Sequence, residues 1–142
     1  MTVYVDSSFL VSSYIGDLHS PDADRRIANR PAIWITPLNR SEFGNVVYQC
    51  VFHGRFSLAE ANKVWNNFDQ DCAEGLLVRA SLPDSIWQTS IQLARRYGPT
   101  LGVRTLDSLH VACAMELRAE RFWTFDERQA RLAEAVGLEL HA

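Results

Sequence analysis

Lysine is almost absent from this chain. Lys63 stands alone against thirteen arginines in 142 residues. Cysteine is scarce too: Cys50, Cys72 and Cys113 are odd in number and widely spaced. Such usage excludes a disulfide framework, and no pair has the short spacing of a zinc site. The three read as small buried apolar residues of a reducing compartment, which places the chain in the cytoplasm. No apolar run approaches the ~20 residues of a membrane span. The first residues lack a basic segment and Asp6 interrupts their apolar stretch, so neither a signal peptide nor a membrane partner is expected. A net charge of −3 gives no global basic field of the kind that advertises nucleic acid. The arginine excess has two readings, a preference for the guanidinium fork that grips phosphate or simply a GC-rich coding sequence.

What is present is a core. A 47% hydrophobic chain with 22% charged residues is folded rather than disordered. At this length roughly two thirds of the unfolded surface is buried, so no staple is needed. With no repeat, low-complexity segment or linker, residues 1–142 read as one domain.

Five short β-branched or aromatic runs predict strands: Thr2–Asp6, Ile33–Thr36, Leu76–Ala80, Arg121–Phe125 and Leu138–His141. Helical patterns lie between them. Ser57 and Glu60 form a capping-box pair opening a helix to about Ala73, which Gly75 stops. Pro83 suits the first turn of the next helix, which ends at Gly98-Pro99. Asp126 precedes a helix closing at Gly137. Strands alternating with helices imply βαβ units, and hence an α/β fold with a mostly parallel sheet.

In such sheets ligands gather at the C-terminal ends of strands. The first run ends in Asp6 and the fourth reaches Asp126, while Glu42 lies one turn into the helix after the second. The helix of "RTLDSLHVACAMEL" is apolar nearly all round, yet it begins with Asp107. Each acid alone has an ordinary explanation as a helix cap or a partner of the helix dipole, with Thr105 as the cap beside Asp107. Together they are less ordinary, because a lone buried carboxylate costs several kcal/mol or is neutralised. A hard divalent cation would reconcile converging carboxylates, activating water and clamping phosphate. His110, one turn after Asp107, reads as a core histidine bonded to a side chain or carbonyl, because Mg²⁺ prefers oxygen. Trp34, Trp65, Trp87 and Trp123 read as core and interface.

These residues resemble the PIN domain family, and within it the VapC-like toxins of type II toxin–antitoxin pairs. The resemblance rests on "YVDSSFLVSSY", "ITPLNRSEFGNVV" and "TLGVRTLDSLHVACAMELRAERFWTFDERQARLAEAVGL", and covers essentially the whole chain. It implies a three-layer sandwich: a five-stranded parallel sheet in the order 3-2-1-4-5, flanked by helices. Asp6, Glu42, Asp107 and Asp126 match the family's catalytic acids. By resemblance they hold one or two Mg²⁺ or Mn²⁺ ions and hydrolyse RNA phosphodiesters, leaving a 5′-phosphate and a 3′-hydroxyl. Ser7, Ser8 and Thr124 stand where the family often carries a supporting hydroxyl. Arg40 and Arg104, close in sequence to Glu42 and Asp107, are candidate RNA-binding residues or equally salt-bridge partners of those acids. The resemblance further implies a homodimer and a small antitoxin whose basic tail occupies the acidic groove. The chain shows no helix-turn-helix of its own, so no direct DNA binding is expected.

Two other readings compete. A receiver-like or phosphatase-like phosphoryl-transfer domain would also use an acidic pocket, but needs a lysine beside the phosphate, and only Lys63 is available. A PIN-like scaffold that binds without cutting would be expected to have lost acids that this chain retains.

Overall fold

The computed structural model describes residues 1–141. Its elements run β1 (Thr2–Val5), α1 (Ser7–Tyr14), α2 (Ser20–Ile27), β2 (Ala32–Ile35), α3 (Pro37–Phe52), α4 (Leu58–Ala73), β3 (Leu77–Arg79), α5 (Ile86–Leu101), α6 (Thr105–Glu116), β4 (Arg121–Trp123) and α7 (Glu127–Ala135). The strands form one parallel sheet in the order β3-β2-β1-β4.

Alternation along the strands divides the core in two. Val3, Val5, Ile33, Ile35 and Trp123 point to one face and pack with α1, α3 and α4 through Phe9, Leu10, Phe43, Val47 and Phe68. Tyr4 and Phe122 point to the other and pack with α5, α6 and α7 through Ile86, Leu93, Val111, Ala112 and Leu132. Burial on both faces is why the strands read as continuous apolar runs.

The predicted fifth strand is the one part of the sheet that differs. Leu138–His141 contributes only a single parallel bridge, Arg121 to Glu139, with the Phe122 amide donating to the Glu139 carbonyl at 2.9 Å. Leu138 and Leu140 turn to the α5–α7 side of the core while Glu139 and His141 are exposed, so this segment rests on the sheet edge without extending it. The sheet therefore has four strands in the predicted order, not five.

Two helix ends also differ. Pro83–Ser85 make a turn before α5, not its first turn, and α5 runs on through Pro99 to Leu101. The proline forfeits only its bond to the carbonyl of residue 95, on an exposed side of the helix, and the stop is Gly102, whose φ of 64° is left-handed. Gly44, inside α3, serves packing: a Cβ there would meet the Trp65 ring at 3.3 Å, so its absence lets α4 lie close.

Helix α6 is the best-buried helix, with every residue from Asp107 to Ala114 inside. Ala112, Cys113 and Ala114 pack in one core cluster with Tyr4 and Phe122 of the sheet. All three cysteines are free and buried. Among the described residues no helix is long and apolar enough to cross a membrane.

Candidate active site

The C-terminal ends of β1 and β4 lie side by side where the chain changes direction across the sheet, and a cavity of about 370 Å³ opens there. Asp6, Glu42, Asp107 and Asp126 all line it, with Ser7, Ser8, Arg104, His110 and Gln129. Four acids spread over more than a hundred residues of sequence thus meet at one place.

Asp6 follows β1 as the N-cap of α1 and is only 5% exposed. Its Oδ1 accepts from the Ser8 hydroxyl at 2.6 Å and the Phe9 amide at 3.2 Å, and its Oδ2 from the Thr124 hydroxyl at 2.5 Å. Burial raises its pKa, and the two hydroxyls, the Phe9 amide and the nearby His110 only partly offset this. Ser8 and Thr124 tie the first turn of α1 to the loop after β4: the Phe125 amide donates to the Ser8 hydroxyl at 2.9 Å, and the Asp126 amide to the Thr124 hydroxyl at 3.0 Å. Asp126 caps α7, accepting from the Gln129 amide at 3.0 Å.

Asp107 sits in the first turn of α6, also 5% exposed. The N-cap of that helix is Arg104, not the predicted Thr105. Asp107 Oδ2 accepts from the Arg104 backbone amide and from its Nε, both at 3.2 Å. The same guanidinium reaches Asp126 at 3.6 Å, although its side chain is 60% exposed. Arg104 therefore spans two of the acids, and Asp107 foremost, then Asp126 and Glu42, raise its pKa.

Glu42 enters from α3. Its Oε1 lies 2.8 Å from His110 Nε2, while His110 Nδ1 lies 2.7 Å from the Tyr4 hydroxyl. A carboxylate accepts only, so Nε2 carries a proton and donates to Glu42, while Nδ1 and the Tyr4 hydroxyl share the second hydrogen bond. Burial pushes the Glu42 carboxyl up, but the His110 bond and charge, the Ser7 hydroxyl and Arg104 outweigh it and hold the pKa below its ordinary value. His110 is thus the bonded core histidine expected from its position, 2% exposed. Its two partners were not foreseeable, because they come from elements distant in sequence.

Arg40 does not line the cavity. It pairs with Asp69 of α4 at 2.8 Å and lies over the Trp65 ring, 5.2 Å from its centroid. Lys63 is exposed on α4, away from the acids, so the lysine that a receiver-like site needs is missing. One polar lining residue escaped the sequence reading. Gln129 is buried, and its side-chain amide donates to the Asp107 carbonyl at 3.3 Å, fastening α7 to α6. The signal was a polar residue on the apolar side of α7, one turn after a capping aspartate.

Hard carboxylate oxygens around a solvent-open cavity suit Mg²⁺ or Mn²⁺ in donor chemistry. Among the described residues no three acidic, histidine or cysteine side chains stand close enough together to hold one ion. An ion here would use one or two carboxylates and keep waters, which is ordinary for Mg²⁺.

A family model described as "PIN domain" matches residues 3–135. None of the curated proteins compared matches the sequence. Among solved structures, the sarcin–ricin-loop-cleaving toxin VapC20 of Mycobacterium tuberculosis superposes with a TM-score of 0.70 at 14% identity, over 96% of this chain and 95% of that one. VapBC2 of Rickettsia felis, bound to a DNA fragment from its promoter, gives 0.68 at 14% identity over 99% and 98%. FitAcB of Neisseria gonorrhoeae gives 0.70 at 13% over 99% and 96%. At these identities the likeness is one of fold.

Proposed function

Because the chain belongs to the PIN domain family, we propose that it is a Mg²⁺- or Mn²⁺-dependent endoribonuclease, the toxin of a toxin–antitoxin pair. The observation that carries the proposal is the convergence of Asp6, Glu42, Asp107 and Asp126 on one cavity at the sheet's switch point. The toxin VapC20, of the same fold over nearly its whole length, cleaves the sarcin–ricin loop, which favours RNA as the substrate class.

In this reading the four acids share the catalytic and metal-holding roles for one or two ions, with no more than two of the carboxylates on any one ion. When bound, the ion activates water and balances charge on the phosphate. The chain's own residues do the positioning. Ser8, Thr124 and the Phe9 amide fix both oxygens of Asp6. His110 fixes Glu42 and keeps it ionised, with Ser7 assisting. Arg104 holds Asp107 and Asp126 apart from each other's charge and stands at the mouth to meet a phosphate. Arg40, outside the cavity, is at most a remote RNA contact.

The partners proposed are an RNA substrate, a second copy of the chain and a small antitoxin. Acids around the groove suit a basic antitoxin tail by charge, and VapBC2 and FitAcB share this fold. DNA reading is assigned to the antitoxin, and the setting proposed is the cytoplasm.

The test is cleavage of RNA by purified protein. We expect cutting with Mg²⁺ or Mn²⁺, none with EDTA and none by Asp6→Asn. Cleavage indifferent to both would overturn the reading. Calorimetry showing no ion binding would favour the non-cutting scaffold instead.

A further inference from the structure

The acidic cavity does not end at Arg104 and Asp126. Both residues also line a second, open depression of about 590 Å³, shared with Phe125, Glu127, Arg128 and Arg131. Three guanidiniums face two carboxylates there, in a chain whose net charge is −3. Arg128 and Arg131 are three residues apart on α7 and so share a side of the helix. Arg128 has no ion pair among the described residues. Arg131 meets Glu127 at 3.6 Å with both side chains exposed, a contact that holds it only weakly. These cations are therefore free to take another anion.

Phe125 narrows what that anion can be. One side of its ring stacks with His19 at 4.5 Å between centroids, and it also stacks with Phe9 at 5.6 Å. With its ring engaged by two partners it forms a wall rather than a platform for a nucleobase. Recognition in this depression is by charge and not by stacking.

We propose that Arg128 and Arg131 form a phosphate track, which binds the sugar–phosphate backbone of single-stranded RNA beside the scissile position and leads it past Arg104 into the acidic cavity. The proposal rests on the ribonuclease reading for its substrate class. It adds two residues and a direction of exit along α7. Because the contacts are to phosphate, the track carries affinity without sequence preference.

The experiment measures binding of a short fluorescein-labelled single-stranded RNA by anisotropy across a salt series. It uses the full chain carrying Asp6→Asn so that the probe stays intact, without divalent ions. Arg128→Ala with Arg131→Ala is expected to weaken binding about tenfold and to flatten the slope of log K against log salt by about 1.4, since each phosphate contact on a single strand contributes roughly 0.7. The control removes the same charge elsewhere, Arg55→Ala with Lys63→Ala, both exposed and outside either cavity. Equal weakening by the control, or no weakening by the α7 pair, overturns the track. With Asp6 restored, the α7 pair should raise KM for RNA and spare kcat. If the intact chain binds RNA through these arginines but does not cut it with Mn²⁺, the track stands and the ribonuclease reading falls.

Discussion

Asp6 is buried, ionisable and surrounded by donors, and its environment favours the neutral form on balance. A carboxyl whose folded pKa is raised contributes stability below its unfolded value and loses it as pH rises through the folded value. At neutral pH the metal-free protein therefore carries Asp6 at a cost. Glu42 has the opposite sign: its lowered pKa contributes stability above the ordinary carboxylate range and loses it as pH falls through the folded value. Asp6→Asn should consequently raise the neutral-pH melting temperature of the metal-free protein while abolishing cleavage. The gain should shrink on acidification towards the ordinary aspartate pKa. A scan of Tm against pH for both proteins checks this, and a less stable Asp6→Asn protein at neutral pH would sink it. Arg104 makes a second prediction. Its guanidinium lies between Asp107 and Asp126, where an added cation must compete with it. Arg104→Ala should tighten Mn²⁺ binding several-fold by calorimetry while weakening RNA binding. Unchanged or weaker ion binding would show that Arg104 does not compete with the ion.

At the scale of elements, α6 shows how packing places chemistry. Its run of buried residues includes Ala112, Cys113 and Ala114, which pack in one cluster with Tyr4 and Phe122 of the sheet, while Asp107 at its start lines the cavity. The burial of α6 with Asp107 at its start was legible in the sequence, because an apolar helix opening on aspartate is itself an anomaly. So was the set of acids, since strand ends and first helical turns can be located from local pattern. What bonds to what was not legible. Arg40 and Arg104 looked equivalent, each close in sequence to an acid, but Arg40 is turned towards Asp69 and Trp65 while Arg104 caps α6. The fifth strand was over-read for a related reason. Leu138 and Leu140 alternate with polar residues, as a strand would, but the alternation reports burial and not pairing. If close approach of α6 positions Asp107, then Ala112→Leu should cost about 1–3 kcal/mol from overpacking. Cleavage should fall further than the loss of folded protein explains. Thermal melts beside activity per folded molecule test this, and an unchanged Tm would show that the contact tolerates the added volume.

At the scale of the whole molecule, large apolar side chains of α5 and α6 are among those left uncovered in the described residues. Trp87 is 54% exposed and Ile91 53%, one turn apart on α5, and Met115 of the adjoining α6 is 37% exposed. Scattered exposed hydrophobics are ordinary, but large side chains on two helices that pack together are a candidate interaction surface. A second copy of the chain is the partner proposed for it, since a two-fold interface needs only one self-complementary patch. A stable dimer of this kind buries about 800 Å² per partner, and an acidic side chain at its centre is costly because the charge is desolvated without a partner. Ile91→Glu should therefore convert the dimer to a folded monomer, because Ile91 lies outside both core clusters. Sedimentation analysis over a concentration series decides it. A wild-type chain that remains monomeric would remove the homodimer from the proposal. A variant that dimerises as well as wild type would move the interface to another face.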